Sequence, residues 1–175
     1  PNGFGMRSRK TGASRASFAG LVPFLKPEYR CISYDLRGHG ASPKPQPPYT
    51  LDDLVEDLEA LRKELGIEKA HFAGHSLGGP LIAWMAIDHP EKVCGAVMLA
   101  GSMAPELEAP RWYNLLADNW IARQVLSPAM SRSNREMMVL QTELEKLDAA
   151  LPQLQRPVIA MQGDNDPLVD PRTAD

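Results

Sequence analysis

The sequence predicts an α/β fold, a mostly parallel sheet with helices on both faces, on three observations. Apolar strand-like runs alternate with runs of helical period, the pattern of parallel strands joined by crossover helices. The run Val93 to Ala100 is apolar throughout, as in a strand covered on both faces. Finally, Gly74-His75-Ser76-Leu77-Gly78-Gly79 lies between an apolar run, Lys69 to Ala73, and a helix-period run, Pro80 to His89.

Taken in order, residues 1–15 are polar, glycine-containing and locally basic (Arg7, Arg9, Lys10, Arg15) and predict no strand. Phe18, Leu21, Val22 and Leu25 keep helical spacing until Pro27 stops it. Tyr29 to Tyr34 predicts a strand ending at Asp35, followed by the loop Leu36 to Ser42 and the proline-rich Pro43 to Pro48. Thr50 with Asp53 three residues on is a capping-box start. Leu51, Leu54, Val55, Leu58, Leu61 and Leu65 then share one helix face, which Gly66 closes. Between Ser102 and Leu151 the pattern turns helical. Trp112, Tyr113, Leu116 and Trp120 predict one amphipathic helix; Met137, Leu140, Leu144, Leu147 and Leu151 predict a second. Pro157 to Gln162 predicts another buried strand, running into Gly163-Asp164-Asn165-Asp166, and Asp170 to Asp175 reads as the opening of a helix.

The 175 residues suffice for one domain with one core. With 43% hydrophobic and 23% charged residues and a net charge of -3, nothing points to nucleic acid, and no apolar run approaches a membrane span. Cys31 and Cys94 each sit in an apolar run, so both are expected as buried thiols rather than a disulfide. No signal-peptide pattern is visible, so a cytoplasmic location is expected, although Pro1 leaves room for a leader upstream.

Strand–turn–helix is the context in which G-x-S-x-G becomes a nucleophile elbow. The tight turn strains the serine backbone and lifts its side chain above the sheet. Gly74 and Gly78 are expected to be glycine because a side chain would clash there. The plainer alternative is a glycine-rich turn with a bystander serine. Sites on such sheets lie at the carboxyl ends of strands, which places Ser76, Asp166 and the 35–42 loop on one edge. The helical insert between two strands is expected to lie over that edge as a lid.

The stretch Asp35-Leu36-Arg37-Gly38-His39-Gly40-Ala41-Ser42, the elbow Gly74 to Gly79, and Gly163-Asp164-Asn165-Asp166 together resemble the α/β-hydrolase superfamily, in its order and spacing, from about Phe18 onward. The overall pattern resembles the small-molecule esterase and lactonase-like branch with a helical cap between two late strands. The resemblance implies residues 1–101 as the first part of the core, 102–151 as the cap and 152–175 as the return to the core. It implies Ser76 as nucleophile and Asp166 as the acid orienting a histidine, with Asp164 the weaker candidate. The backbone N–H of Leu77 would be one oxyanion donor. The second would be that of Phe4 in Asn2-Gly3-Phe4, where Asn2 stands in place of the family's usual histidine.

A serine hydroxyl needs an adjacent imidazole to take its proton, and the family order is Ser, Asp, His. No histidine follows Asp166. His71 lies within the elbow strand and is expected to be packed; His75 would line or support the pocket; His89 ends the elbow helix; His39 alone lies at the correct edge. In the family's sheet a further strand, here preceding Pro1, separates the 29–35 strand from the elbow strand. The expectation is an internal piece of a longer hydrolase, weak or inactive as it stands. The expected function is hydrolysis of a small carboxylic ester, lactone or similar acyl compound through an acyl-enzyme, with no metal or organic cofactor. Perhydrolases, carbon–carbon hydrolases and acyltransferases share the elbow. A non-catalytic binding module is the alternative of a different class. Trp112, Tyr113, Trp120 and Met137 either line an acyl pocket or simply form the core of a helical pair.

Overall fold

The structure is a computed structural model and describes residues 15–46, 48–107, 112–117, 119, 125–166 and 169–174. The chain divides into two compact units, Pro1–Gln46 and Pro47–Asp175.

In the first unit, a 3-10 turn at Arg15–Phe18 precedes α1, Val22–Leu25. The predicted strand Tyr29–Tyr34 is not one: residues 30–36 carry neither strand nor helix. Its aromatic and β-branched content suits a strand, but pairing needs a neighbour, and no described residue supplies one. The loop that follows is well organised. Asp35 is buried and accepts hydrogen bonds from the N–H of Ala41 at 2.9 Å and of Arg15 at 2.6 Å. Gly40 holds φ +48°, and a Cβ there would stand 2.2 Å from the Asp35 carboxyl carbon.

The second unit carries the sheet. Helix α2, Leu51–Glu64, starts at the expected capping box: Thr50 Oγ1 accepts from the Asp53 N–H, and the Asp53 carboxylate accepts from the Thr50 N–H. Leu51, Leu54, Val55 and Leu58 are buried, and Gly66 at φ +64° ends the helix in the left-handed region. Glu59 and Arg62 form a buried ion pair at 2.6 Å, and Arg62 also donates to the carbonyls of Ile67 and Glu68. That pairing holds the Glu59 carboxyl below its ordinary value.

Strand β1, Ala70–His75, leads through the elbow into α3, Gly78–Asp88, and then to β2, Val93–Leu99. Helix α4 spans Trp112–Ala117 and α5 spans Pro128–Ala150; β3, Val158–Met161, completes the sheet. The order is β1-β2-β3, all parallel, as βαβ connections dictate. Helix α3 is apolar almost all round, with Leu81, Ile82, Ala83, Met85 and Ala86 buried. That composition suits its position against β1 and β2, with α2 and α5 packed on it. Leu140, Leu144 and Leu147 are the buried stripe of α5, and buried Glu143 accepts from the Leu51 N–H at 2.8 Å, tying α5 to the start of α2.

The two faces of the sheet differ. Phe72, Gly74, Ala96 and Met98 share one face; Gly74 and Met98, like Ala96, are buried there. His71, Ala73, His75, Val97, Leu99, Ile159 and Met161 share the other. Its β1 residues are exposed, and Ile159 and Met161 are 59% and 58% exposed. Three expectations are thereby corrected. The last strand is not buried, because it is a sheet edge with one uncovered face. His71 is exposed rather than packed, for the same reason. Cys94 is exposed and Cys31 half-buried, both free thiols; Cys94 falls where the β1–β2 register shifts and so escapes the ladder's packed face. Nor is Trp112 part of a helical-pair core, being 72% exposed, as Leu116 is at 62%. The side chains of Tyr113 and Trp120 lie outside the described residues, as do Asn2, Gly3 and Phe4.

Candidate active site

At the carboxyl end of β1 the chain reverses within two residues and enters α3. Ser76 sits at this reversal with φ +54°, a left-handed conformation that costs a non-glycine residue about 1–2 kcal/mol. Two hydrogen bonds hold it there: its N–H donates to the Leu99 carbonyl of β2 at 3.0 Å, and its own carbonyl accepts from the Gly79 N–H at 2.8 Å. Strain of this kind persists only where surrounding structure enforces it, and it concentrates at functional sites.

Each glycine of the turn has its own reason. A Cβ on Gly74 would lie 2.1 Å from the Gly78 carbonyl oxygen, a backbone atom that cannot step aside. Gly78 itself has open space where its Cβ would be, so the expected clash at that position does not exist; what matters there is the carbonyl lying over Gly74. The second close approach belongs to Gly79, whose Cβ would meet the Gly101 Cα at 2.8 Å. The third glycine of the motif was the signal for this contact, and spacing alone did not reveal its partner.

Leu77 begins α3 as its N-cap. Among the described residues its N–H has no hydrogen-bond partner. An unpaired amide at a helix N-terminus, reinforced by the helix dipole, is suited to receive negative charge. His75 is exposed on the uncovered face of the sheet, and Ser76 is half-buried.

Strand β3 is parallel to β1, so the loop after it emerges on the same edge as the elbow. In that loop Asp166 is half-buried. Its carboxylate accepts from the Val169 N–H at 3.1 Å and from Gln162 Nε2 at 3.4 Å, while Gln162 also donates to the Val169 carbonyl at 3.2 Å. Gln162 was not singled out from the sequence, where it reads only as the end of a strand. Asp164 is exposed on the turn before it. Further on, Arg172 grips Asp170 through its side chain and its N–H, which draws the Asp170 carboxyl down to about 2. His89 caps the far end of α3, and His39 belongs to the other compact unit. The elbow and the Asp166 loop are thus brought to one edge by the sheet, and neither His71 nor His89 joins them.

The strained serine on its strand–turn–helix elbow lies within the stretch that a family model matches. Residues 2–128 fit the alpha/beta hydrolase fold. The chain belongs to this family.

Among its relatives, this alpha/beta hydrolase is 37% identical over 105 residues to 3-oxoadipate enol-lactonase 2 of Acinetobacter baylyi, covering 60% of this chain and 39% of that one. It is 31% identical over 141 residues to a putative carbamate hydrolase, RutD, of Caulobacter segnis, covering 73% of this chain and 53% of that one. The chain thus spans about half or less of the length of these relatives. In fold it is similar to a monoacylglycerol lipase of Paleococcus ferrophilus, with a TM-score of 0.73 over 93% of this chain and 73% of that one, at 21% identity.

Proposed function

We propose that this alpha/beta hydrolase carries the nucleophile and acid of a serine hydrolase acting on small carboxylic esters, lactones or similar acyl compounds. The observation that carries this reading is Ser76 itself, held at φ +54° beside the Leu77 N–H at the start of α3, which has no partner among the described residues. In this reading Ser76 Oγ attacks the carbonyl carbon and loses its proton to a base. The Leu77 N–H stabilises the oxyanion, the alcohol departs, and water then cleaves the acyl-serine bond. Losing one oxyanion donor costs about 10²–10³ in rate, so the Leu77 amide is a substantial part of the mechanism. Asp166 orients the imidazole, His75 supports the pocket, and residues 102–151 form the cap. The chemistry calls for no metal or organic cofactor. The base is the one role these residues leave unfilled, since no histidine follows Asp166.

Fluorophosphonate labelling with mass-spectrometric location of the adduct tests this. Slow labelling confined to Ser76, quickened by added imidazole as a substitute base and abolished in Ser76→Ala, is the expected result. No adduct at Ser76 at any imidazole concentration would mean the elbow is not activated, and the binding-module reading would replace this one.

A further inference from the structure

The Ser76 and Asp166 segments follow β1 and β3, which do not touch; β2 lies between them. Besides the sheet ladder through β2, the segment leaving β2 is a second link between them. That segment begins abruptly. Ala100 adopts φ +46°, a second strained non-glycine residue one step beyond the Leu99 that pairs with His75. Its N–H donates to the Met161 carbonyl at 2.9 Å. Gly101 then packs against Gly79, the residue whose N–H holds the Ser76 carbonyl. On the other side the segment is gripped by a single side chain. Thr173 Oγ1 accepts from the N–H of Met103 at 2.8 Å and of Ala104 at 3.0 Å, and donates to the Gly101 carbonyl at 3.4 Å. Thr173 belongs to the short turn that follows the acid loop, which the Asp166–Val169 and Asp170–Arg172 hydrogen bonds tie together.

We propose that Thr173 is a positioning residue: by clamping the Gly101–Ala104 segment, it fixes the acid loop relative to the nucleophile elbow. The inference rests on the reading of Ser76 and Asp166 given above. Its physical logic is a contact on each side of one spacer. Gly101 against Gly79 registers the spacer to the elbow, and the Thr173 hydroxyl registers it to the acid loop. A hydroxyl is suited to this because it accepts from two amides while donating to a carbonyl. The β-branch restricts its rotamer.

Amide hydrogen exchange by NMR on the wild-type chain, Thr173→Val and Thr173→Ser tests the coupling without relying on activity. Valine keeps the shape and removes the hydroxyl; serine keeps the hydroxyl. In Thr173→Val, exchange should quicken about tenfold at Met103 and Ala104 and also at Gly79 and Ser76, while Leu54 and Leu58 in α2 stay unchanged, the mark of a local opening. Thr173→Ser should restore the wild-type pattern. A change that stops at Met103 and Ala104, or one that reaches Leu54 and Leu58 equally, overturns the proposal. If Thr173→Val does not fold, the serine variant decides: wild-type exchange at Gly79 and Ser76 supports the proposal, and quickened exchange there overturns it. The pH profile of imidazole-assisted labelling at Ser76 should shift in Thr173→Val and not in Thr173→Ser. Absence of labelling in the wild-type chain counts against the nucleophile assignment, whereas the coupling stands or falls on the exchange data.

Discussion

Two short runs in this chain read alike: Tyr29–Tyr34, ending in a loop held by Asp35, and Ala70–His75, ending in the elbow at Ser76. Only the second is a strand. Residues Ala70–His75 have β2 beside them and α3 on one face, so their backbone groups are paired and their strained turn is enforced. The 30–36 run has no paired strand among the described residues; the loop it leads into is held by the buried Asp35 carboxylate and by turn hydrogen bonds such as that from the Gly38 N–H to the Pro43 carbonyl at 2.8 Å. Alternating side chains make a segment fit for a sheet, but pairing is what makes it a strand.

The largest test of this contrast exchanges the two turn glycines. Gly74→Ala would drive a Cβ to 2.1 Å from the Gly78 carbonyl oxygen, an overlap of backbone with backbone. We expect a loss of about 4 kcal/mol or more, read as a collapse of the urea midpoint. Gly40→Ala meets an equally short contact, 2.2 Å, but with the Asp35 side chain. It should loosen the 35–42 loop while leaving the urea midpoint of the sheet nearly in place. Equal losses in the two variants would erase the distinction. A second pair compares buried Val93, 1% exposed, with Ile32, 42% exposed. Val93→Ala should cost about 1.5–3 kcal/mol and Ile32→Ser under about 0.5 kcal/mol in the same assay.

The smallest effect is set by pH. Hydrogen bonds from the Ala41 and Arg15 amides, aided by the Arg15 charge, hold the Asp35 carboxyl below its ordinary value of 3.8. A lowered carboxyl contributes stability that is complete above its unfolded value and is lost as pH falls through the folded one. Loop order around Ala41 should therefore be constant from neutral pH to about the ordinary carboxylate range and decline only below 3.8. Amide exchange at Ala41 over a pH series would show this, and Asp35→Asn should remove the dependence. A decline centred near pH 6 would point to a histidine instead.

The legible part of the site was the part written in local chemistry. The capping box at Thr50, the glycine closing α2 and the elbow motif are each fixed by residues a few positions apart. Ser76 was identified on the same footing, because a serine flanked by glycines after a strand has few conformations open to it. Gly78 was misjudged because its role is played by its carbonyl rather than by the absence of its side chain. Gln162 and Thr173 gave no signal, since their partners lie across a loop or some 70 residues away, and a polar residue near a strand end has many uses. Exposure of Ile159, Met161 and His71 was unreadable for a related reason: an apolar strand pattern states which faces are fit for burial, not which are covered.

By itself, then, the sequence determined the α/β class, the positions of α2, α3, α5 and the three strands, and the candidate nucleophile. These follow from hydrophobic period, caps and turn sterics, which act over one or two turns of chain. The tertiary structure alone decided that 30–36 forms no strand with any described residue, that the β1 residues on one sheet face are exposed, that Gly79 meets Gly101, and that Thr173 hydrogen-bonds the Gly101–Ala104 segment. Those outcomes depend on which distant surfaces meet, and contact across 20 to 70 residues leaves no periodicity for a linear pattern to record.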